Sequence, residues 1–283
     1  MFNNKEHEPF GIAHHMSPSS SPRFPQPPFP PYISLMSFND HFSDHASDYA
    51  RFRPLYPQEL FQYLVSLAPS NNLAWDCGTG NGQAANGLAT VFDRVIATDA
   101  SEQQLSNATP NPRIEYRTAP AEASSIDAQS VDVVTAAQAL HWFDIPNFFI
   151  EARRVLKPKG VIAVWSYELM NISPAIDRIL HPFYTETVGP FWPEGRELVE
   201  QGYRTIEFPF EELPRPEFRM TAEWTMFDFI GYVRTWSATQ RFIKSKNFDP
   251  VDQLANLLGA EWGPPFQQKE ITWPLNIRVG IAS

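Results

Sequence analysis

Three glycines at alternate positions, Gly78, Gly80 and Gly82, punctuate the stretch "LAWDCGTGNGQAA", where an apolar run gives way to helical spacing. Where a strand turns into a helix, glycine lets backbone amides and the positive end of the helix dipole approach a bound polar group. Asp76 stands just before them. A carboxylate there repels a pyrophosphate and favours an ammonium or sulfonium group. The spacing also departs from the dinucleotide pattern. Counted from Gly78, G-x-G-x-x-G demands glycine where Gln83 stands; counted from Gly80 it accepts Ala85, but then Asp76 goes unexplained. Asp99 ends the next apolar run, close to the roughly 20 residues expected between such a loop and a carboxylate that binds ribose hydroxyls. For the glycines alone, a tight turn with Asp76 as a helix cap is the plain alternative.

The surrounding pattern predicts the elements that would hold these residues. "PQELFQYLVSLA" puts Leu60, Phe61, Leu64, Val65 and Ala68 on one helical face, with Pro57 suited to the first turn. "LAWDC" is a strand, and "GQAANGLATVF" a helix burying Ala84, Ala85, Leu88, Ala89 and Phe92. "RVIATD" is a strand, followed by "SEQQLSNA" as a helix capped by Ser101. "IEYRT" and "VDVVTAA" are strands, "IPNFFIEARRVL" is a helix stopped at "KPKG", and "VIAVWSY" is a fifth strand. Such alternation builds an α/β fold, a doubly wound, mainly parallel, Rossmann-like sheet in three layers, with its ligand crevice beyond the strands' carboxyl ends. Beyond Tyr167 the chain is aromatic and proline-rich and ends in the strand-like "KEITWPLNIRVGIA". The expectation there is sheet completion plus an α-rich substrate cover.

Composition bounds the function. Of 283 residues, 43% are hydrophobic and the formal charge is −10, enough apolar material for a core under a negative surface that repels nucleic acid and anionic lipid. The densest basic stretch, Arg153, Arg154, Lys157 and Lys159, lies at a helix end where cations favour the dipole. Cys77 is the only cysteine, which excludes an intrachain disulfide framework and fits a reducing cytoplasm. No apolar run reaches the roughly 20 residues of a membrane span, and no secretory pattern opens the chain. Residues 1–36 are proline-rich and are expected to form a disordered arm; His14 and His15 lack a third metal ligand, and Met36 is a candidate native start. The domain is expected over residues 37–283, with a cofactor core at about 70–167 and the cover at about 168–283.

With these motifs in place, the sequence resembles the class I S-adenosylmethionine-dependent methyltransferases, within them the type 11, trans-aconitate methyltransferase-like branch. "WDCGTGNG" matches the first motif, "VIATDAS" the ribose-binding acid, "APAEAS" the adenine loop, "VDVVTAAQALHWFD" the fourth-strand motif and "RVLKPKGVIAVW" the approach to the fifth strand. The resemblance implies S-adenosylmethionine as cofactor. Asp76 and the run Gly78, Thr79, Gly80, Asn81 and Gly82 would hold its methionine end, Asp99 and Ala100 the ribose, Ala121 and Glu122 the adenine edge, and Gln138 with Ala139 would pass beneath the sulfonium. Pro120 replaces an aspartate found in many relatives, which shifts the adenine contact toward the Ala121 backbone. "FSDHASDYARFRPLYP" resembles a cover segment in which Tyr49 and Arg53 close on the methionine end; anchoring an entry segment is the alternative for both.

For the methyl acceptor, His141 beside Trp142 is a candidate base or acceptor contact, or a hydrogen-bonded histidine closing the pocket floor. Trp142, Trp236 and Arg241 are candidate substrate contacts, with Arg234 considered beside them; core packing and surface charge are the alternatives. No N-P-P-Y-type run follows the fourth strand, and no acidic cluster suggests a metal. These features favour metal-independent methylation of a small molecule, more at oxygen than at carbon or nitrogen, by a monomer or homodimer without nucleic-acid or membrane partners. A non-catalytic S-adenosylmethionine-binding module and an NAD-dependent oxidoreductase are the competing expectations.

Overall fold

The computed structural model describes residues 54–282. The proline-rich arm, His14, His15, Met36, Tyr49 and Arg53 lie outside the described residues. The described chain opens with α1 (Gln58–Leu67), for which Pro57 serves as the N-cap rather than a first-turn residue. Leu60, Phe61 and Leu64 are buried, while Val65 and Ala68 at the edge of the same face are half-buried.

There follow β1 (Leu73–Cys77), α2 (Gln83–Leu88), β2 (Arg94–Asp99), α3 (Glu102–Ser106), β3 (Ile114–Thr118), β4 (Val131–Ala137), α4 (Ile145–Val155) and β5 (Leu156–Tyr167). The five strands fall where the apolar runs place them, save that β5 begins early: Leu156 pairs with Val131 and Val161 with Val133, so "KPKG" forms an irregular bulge inside the strand. Helix α2 is shorter than its spacing suggested, yet Ala89 and Phe92 beyond its end stay buried. Ser101 caps α3 by accepting the Gln104 N–H.

The second half supplies α5 (Pro174–Pro182), α6 (Arg196–Glu200), β6 (Glu211–Glu212), β7 (Phe218–Trp224), α7 (Met226–Arg234), α8 (Ser237–Lys246), α9 (Val251–Trp262) and β8 (Lys269–Ile281). The sheet runs β3-β2-β1-β4-β5-β8-β6, with β7 also paired to β8. The first five strands are parallel, and β8 runs antiparallel to β5. The strand order reverses between β1 and β4, the position at which an open α/β sheet leaves a crevice.

Alternation along each strand fills both faces of the sheet. Val161, Ala163, Trp165 and Tyr167 of β5 join Trp273 and the α7 and α9 side chains in one core, whereas Ile162 and Val164 join Trp75, Phe148 and Tyr203 in the other. Helix α5 packs on α9, α9 on α7 and α7 on α8, forming the helical layer of the second half.

Two of the four cations of the basic stretch near α4 are held in ion pairs. Arg154 pairs with Glu151 at 2.7 Å, and Lys157 with Asp132 at 2.7 Å. Asp132 is fully buried at the start of β4 and also accepts from Ser70 Oγ and the Asn72 and Leu73 N–H groups, joining β4 to the entrance of β1. Removing this carboxylate strands several donors. Asp132→Ala is expected to cost about 3 kcal/mol in urea denaturation. A loss below about 1 kcal/mol would contradict that role.

Candidate active site

The loop between β1 and α2 is held from two sides by carboxylates. The Gly80 N–H donates to Asp99 Oδ2 at 2.9 Å, and Asp99 Oδ1 accepts the Ser101 N–H at 2.8 Å. Behind the loop, Thr79 Oγ1 donates to Asp76 Oδ2 at 2.6 Å and Thr135 Oγ1 of β4 donates to Asp76 Oδ1 at 2.7 Å. The loop is thereby stapled to both neighbours of β1. Gly78 and Gly82 adopt φ of +66° and +88°, in the left-handed region open to glycine. A Cβ on Gly78 would lie 2.7 Å from Ala139 Cβ and 2.8 Å from the Phe143 ring. One on Gly82 would strike the Tyr116 hydroxyl.

These elements enclose a cleft of about 360 Å³ at the carboxyl ends of β1–β5. It is lined by Gly78, Thr79, Gly80, Asp99, Ala100, Ala121, Glu122, Gln138 and Trp142, all singled out by the sequence. Asn81, within the expected Gly78–Gly82 run, lines it too, whereas Gly82 is buried outside the lining; Tyr56, Gln83, Gln104, Phe143 and Tyr167 also line it and were missed. Tyr167 was within reach of the sequence, since it ends β5 on the side where the other strand ends converge.

Asp76 stands elsewhere than its expected role required. It does not line the cleft; only 1% exposed, it grips the loop from behind, so its charge reaches a ligand through the loop. Burial pushes its carboxyl up to about 6, opposed by hydrogen bonds from Thr79, Thr135 and the Ala85 N–H, with the nearby Asp99 charge adding to the rise.

His141 sits in the 3-10 turn Leu140–Trp142, beside the cleft rather than in its lining. Its Nδ1 lies 3.0 Å from the Tyr203 hydroxyl. Burial first, and the Arg196 charge second, hold the imidazole down to about 4, so the ring is neutral at pH 7.

Among the described residues, nothing beyond Tyr167 lines the cleft, which displaces two substrate candidates. Trp236 is 5% exposed and packs against Tyr184, Trp192 and Tyr232 at ring-centroid distances of 5.7, 5.8 and 5.9 Å, inside the core. Arg241 is exposed on α8. Arg234 is paired with Asp249 and Asp252. No group of three His, Cys, Asp or Glu side chains is placed to hold a metal ion among the described residues.

The raised Asp76 carboxyl sets a sign for pH dependence. A native carboxyl near 6 against an unfolded value near 3.8 binds its proton more tightly when folded. The associated stability is fully present below about pH 4 and lost as pH rises through 6. Asp76→Asn, which cannot titrate, is expected to lose about 1 kcal/mol less than the native chain in denaturation between pH 5 and 7.5. Parallel profiles in the two proteins would contradict the assignment.

Comparison with known proteins agrees with this geometry. The family model described as a methyltransferase domain matches residues 75–164, from Trp75 in β1 to Val164 in β5. A protein named as a methyltransferase in Dictyostelium discoideum is 36% identical over 232 residues, covering 81% of this chain and 88% of its own length. One named as an S-adenosylmethionine-dependent methyltransferase in Saccharomyces cerevisiae is 30% identical over 131 residues, covering 43% of this chain and 45% of its own. The solved structure of a type II methyltransferase from Anaeromyxobacter dehalogenans superposes with a TM-score of 0.77 at 43% identity, covering 81% of this chain and 98% of that one. With its strand order, its glycine loop and these relatives, the chain belongs to the class I S-adenosylmethionine-dependent methyltransferases.

Proposed function

We propose that this chain transfers the methyl group of S-adenosylmethionine to an oxygen of a small molecule, a carboxylate or a hydroxyl, without a metal. The observation that carries the proposal is the cleft itself, in which a glycine cradle and the Asp99 carboxylate converge over the β1–β4 crevice. Each Asp99 oxygen accepts one backbone N–H and keeps a lone pair free for a ribose hydroxyl. Ala121 and Glu122 would meet the adenine edge, with Glu122 Oε1 already fixed by the Asp144 N–H. Gly78, Thr79, Gly80 and Asn81 would face the methionine end, and Ala100 the ribose.

When bound, S-adenosylmethionine supplies an electrophilic methyl group on a sulfonium. The chain's task is then to align the acceptor in line with that carbon and keep water away. Tyr56, Trp142, Phe143 and Tyr167 give the cleft flat apolar walls. The cleft volume lies at the low end of the roughly 300–1,000 Å³ common for small-molecule sites, and "ALHWF" stands where an amide-nitrogen methylase would carry N-P-P-Y. The charge of −10 supports a small acceptor over nucleic acid, and the single buried Cys77 supports a reducing, cytoplasmic setting. No described helix is long and apolar enough to cross a membrane. Family membership sets aside the nicotinamide oxidoreductase.

A neutral His141 tied to Tyr203 suits a positioning role, holding the turn that carries Trp142. His141→Ala is therefore expected to cost about 1 kcal/mol of stability while leaving the cofactor dissociation constant within about threefold. Unchanged stability with a rate loss of 100-fold or more would restore the general-base role.

Two measurements test the main proposal. Calorimetric titration with S-adenosylmethionine should show affinity falling by at least about tenfold in Asp99→Ala, the loss of a charged hydrogen-bond acceptor; equal affinity would remove the ribose assignment. Incubation of the native chain with methyl-labelled donor and a metabolite extract should move label into a small organic acid, ester or ether. Intact donor binding with no labelled product would favour the non-catalytic binding module.

A further inference from the structure

Gln138, the first residue after β4, has a φ of +54° although it is not glycine. A backbone held in the left-handed region costs on the order of 1 kcal/mol and persists where its surroundings dictate it. Here two bonds do so. The Gln138 N–H donates to the Trp165 carbonyl at 2.8 Å, and Gln138 Oε1 accepts the Tyr167 N–H at 2.9 Å. The residue thus clips the carboxyl end of β4 to that of β5, at the wall of the cleft.

The second bond fixes the side chain's chemistry. A carboxamide has one accepting oxygen and one donating nitrogen, and a backbone N–H can only donate. The edge turned to Tyr167 is therefore the oxygen. What remains is Nε2, a pure donor with no partner among the described residues. A donor is badly matched to a sulfonium, since both present positive charge, and well matched to an oxygen lone pair.

We infer that the Gln138 side chain holds the methyl acceptor rather than the sulfonium, its Nε2 donating to the reacting oxygen of a planar, conjugated acid or enol that lies between Tyr56, Trp142 and Tyr167. The inference rests on the methyl-transfer proposal and narrows its substrate class. One lone pair of the acceptor oxygen forms the bond to the methyl carbon while the carbon–sulfur pair stays with sulfur, leaving a neutral thioether. The second lone pair stays on Gln138. A carboxylate releases no proton in this step, and an enol releases one to solvent. Ammonium acceptors are excluded because their N–H groups would face Nε2 donor to donor.

The test uses benzoate and benzylamine as probes, titrated calorimetrically into the chain saturated with S-adenosylhomocysteine. The native chain should bind benzoate at least about tenfold more tightly than benzylamine, the scale of one hydrogen bond to a charged group. Gln138→Glu keeps an oxygen for the Tyr167 N–H and turns the remaining edge from donor to anion. It should invert the preference, with S-adenosylhomocysteine affinity within about threefold and the melting temperature little changed. Gln138→Asn tolerates the positive φ and keeps a donor but is too short to span both partners, so it should lose benzoate affinity without gaining benzylamine affinity. Absence of a benzoate preference in the native chain, or the same preference in Gln138→Glu, would overturn the inference while S-adenosylhomocysteine still binds. Failure of the native chain to bind S-adenosylhomocysteine would overturn the methyl-donor proposal and this inference with it.

Discussion

One buried carboxylate organises the cleft. Asp76 accepts the Thr79 hydroxyl of the glycine loop with one oxygen and the Thr135 hydroxyl of β4 with the other, so the loop cannot move without disturbing the neighbouring strand. Because β1 lies between β2 and β4, this bridge spans the place where the strand order reverses. Asp99 adds a second grip from the β2 side through the Gly80 N–H. The two acids grip the same loop, and burial divides their roles. Asp76 holds the backbone; Asp99 faces the cleft.

The arrangement has a cost that the fold absorbs. A carboxylate removed from water resists ionisation, as the rise of Asp76 toward 6 records, and the hydroxyl and backbone donors around it recover only part of that loss. Asp132 makes the contrast clear: it performs a similar bridging task at the opposite end of β4, yet has a lysine and several donors around it. The strands are thus pinned at both ends. The carboxyl-end pin leaves backbone amides and one acid pointing into open space, whereas the amino-end pin closes on itself.

Much of the first half was legible because parallel strands buried on both faces read as short apolar runs, and glycine, proline and aspartate mark where they stop. The bulge at "KPKG" was not, since a break in helical spacing says nothing of which strand residue pairs next. The helices of the second half were blurred by their aromatic content. Thr225 and Asp228 do form a reciprocal cap at the start of α7, and that T-x-x-D spacing was available in the sequence. Trp236 and Arg241 illustrate the harder limit. An aromatic ring in a core and one in a pocket have the same letter, and an exposed arginine differs from a binding one only in what lies opposite. The burial of Asp76 likewise follows from Thr135, a residue 59 positions away that no local pattern connects to it.

The loop stapled by Asp76 and Asp99 is proposed as the cradle of the methyl donor. A crystal structure of this chain with S-adenosylhomocysteine addresses it most directly. The ribose hydroxyls should lie within hydrogen-bond distance of both Asp99 oxygens, about 2.7 Å, with the amino-acid end over Gly78 and Gly80 and Asp76 still bonded to Thr79 and Thr135 without touching the ligand. A nucleoside bound away from Asp99, or an Asp76 carboxylate turned out to contact it directly, would overturn these roles for the two acids.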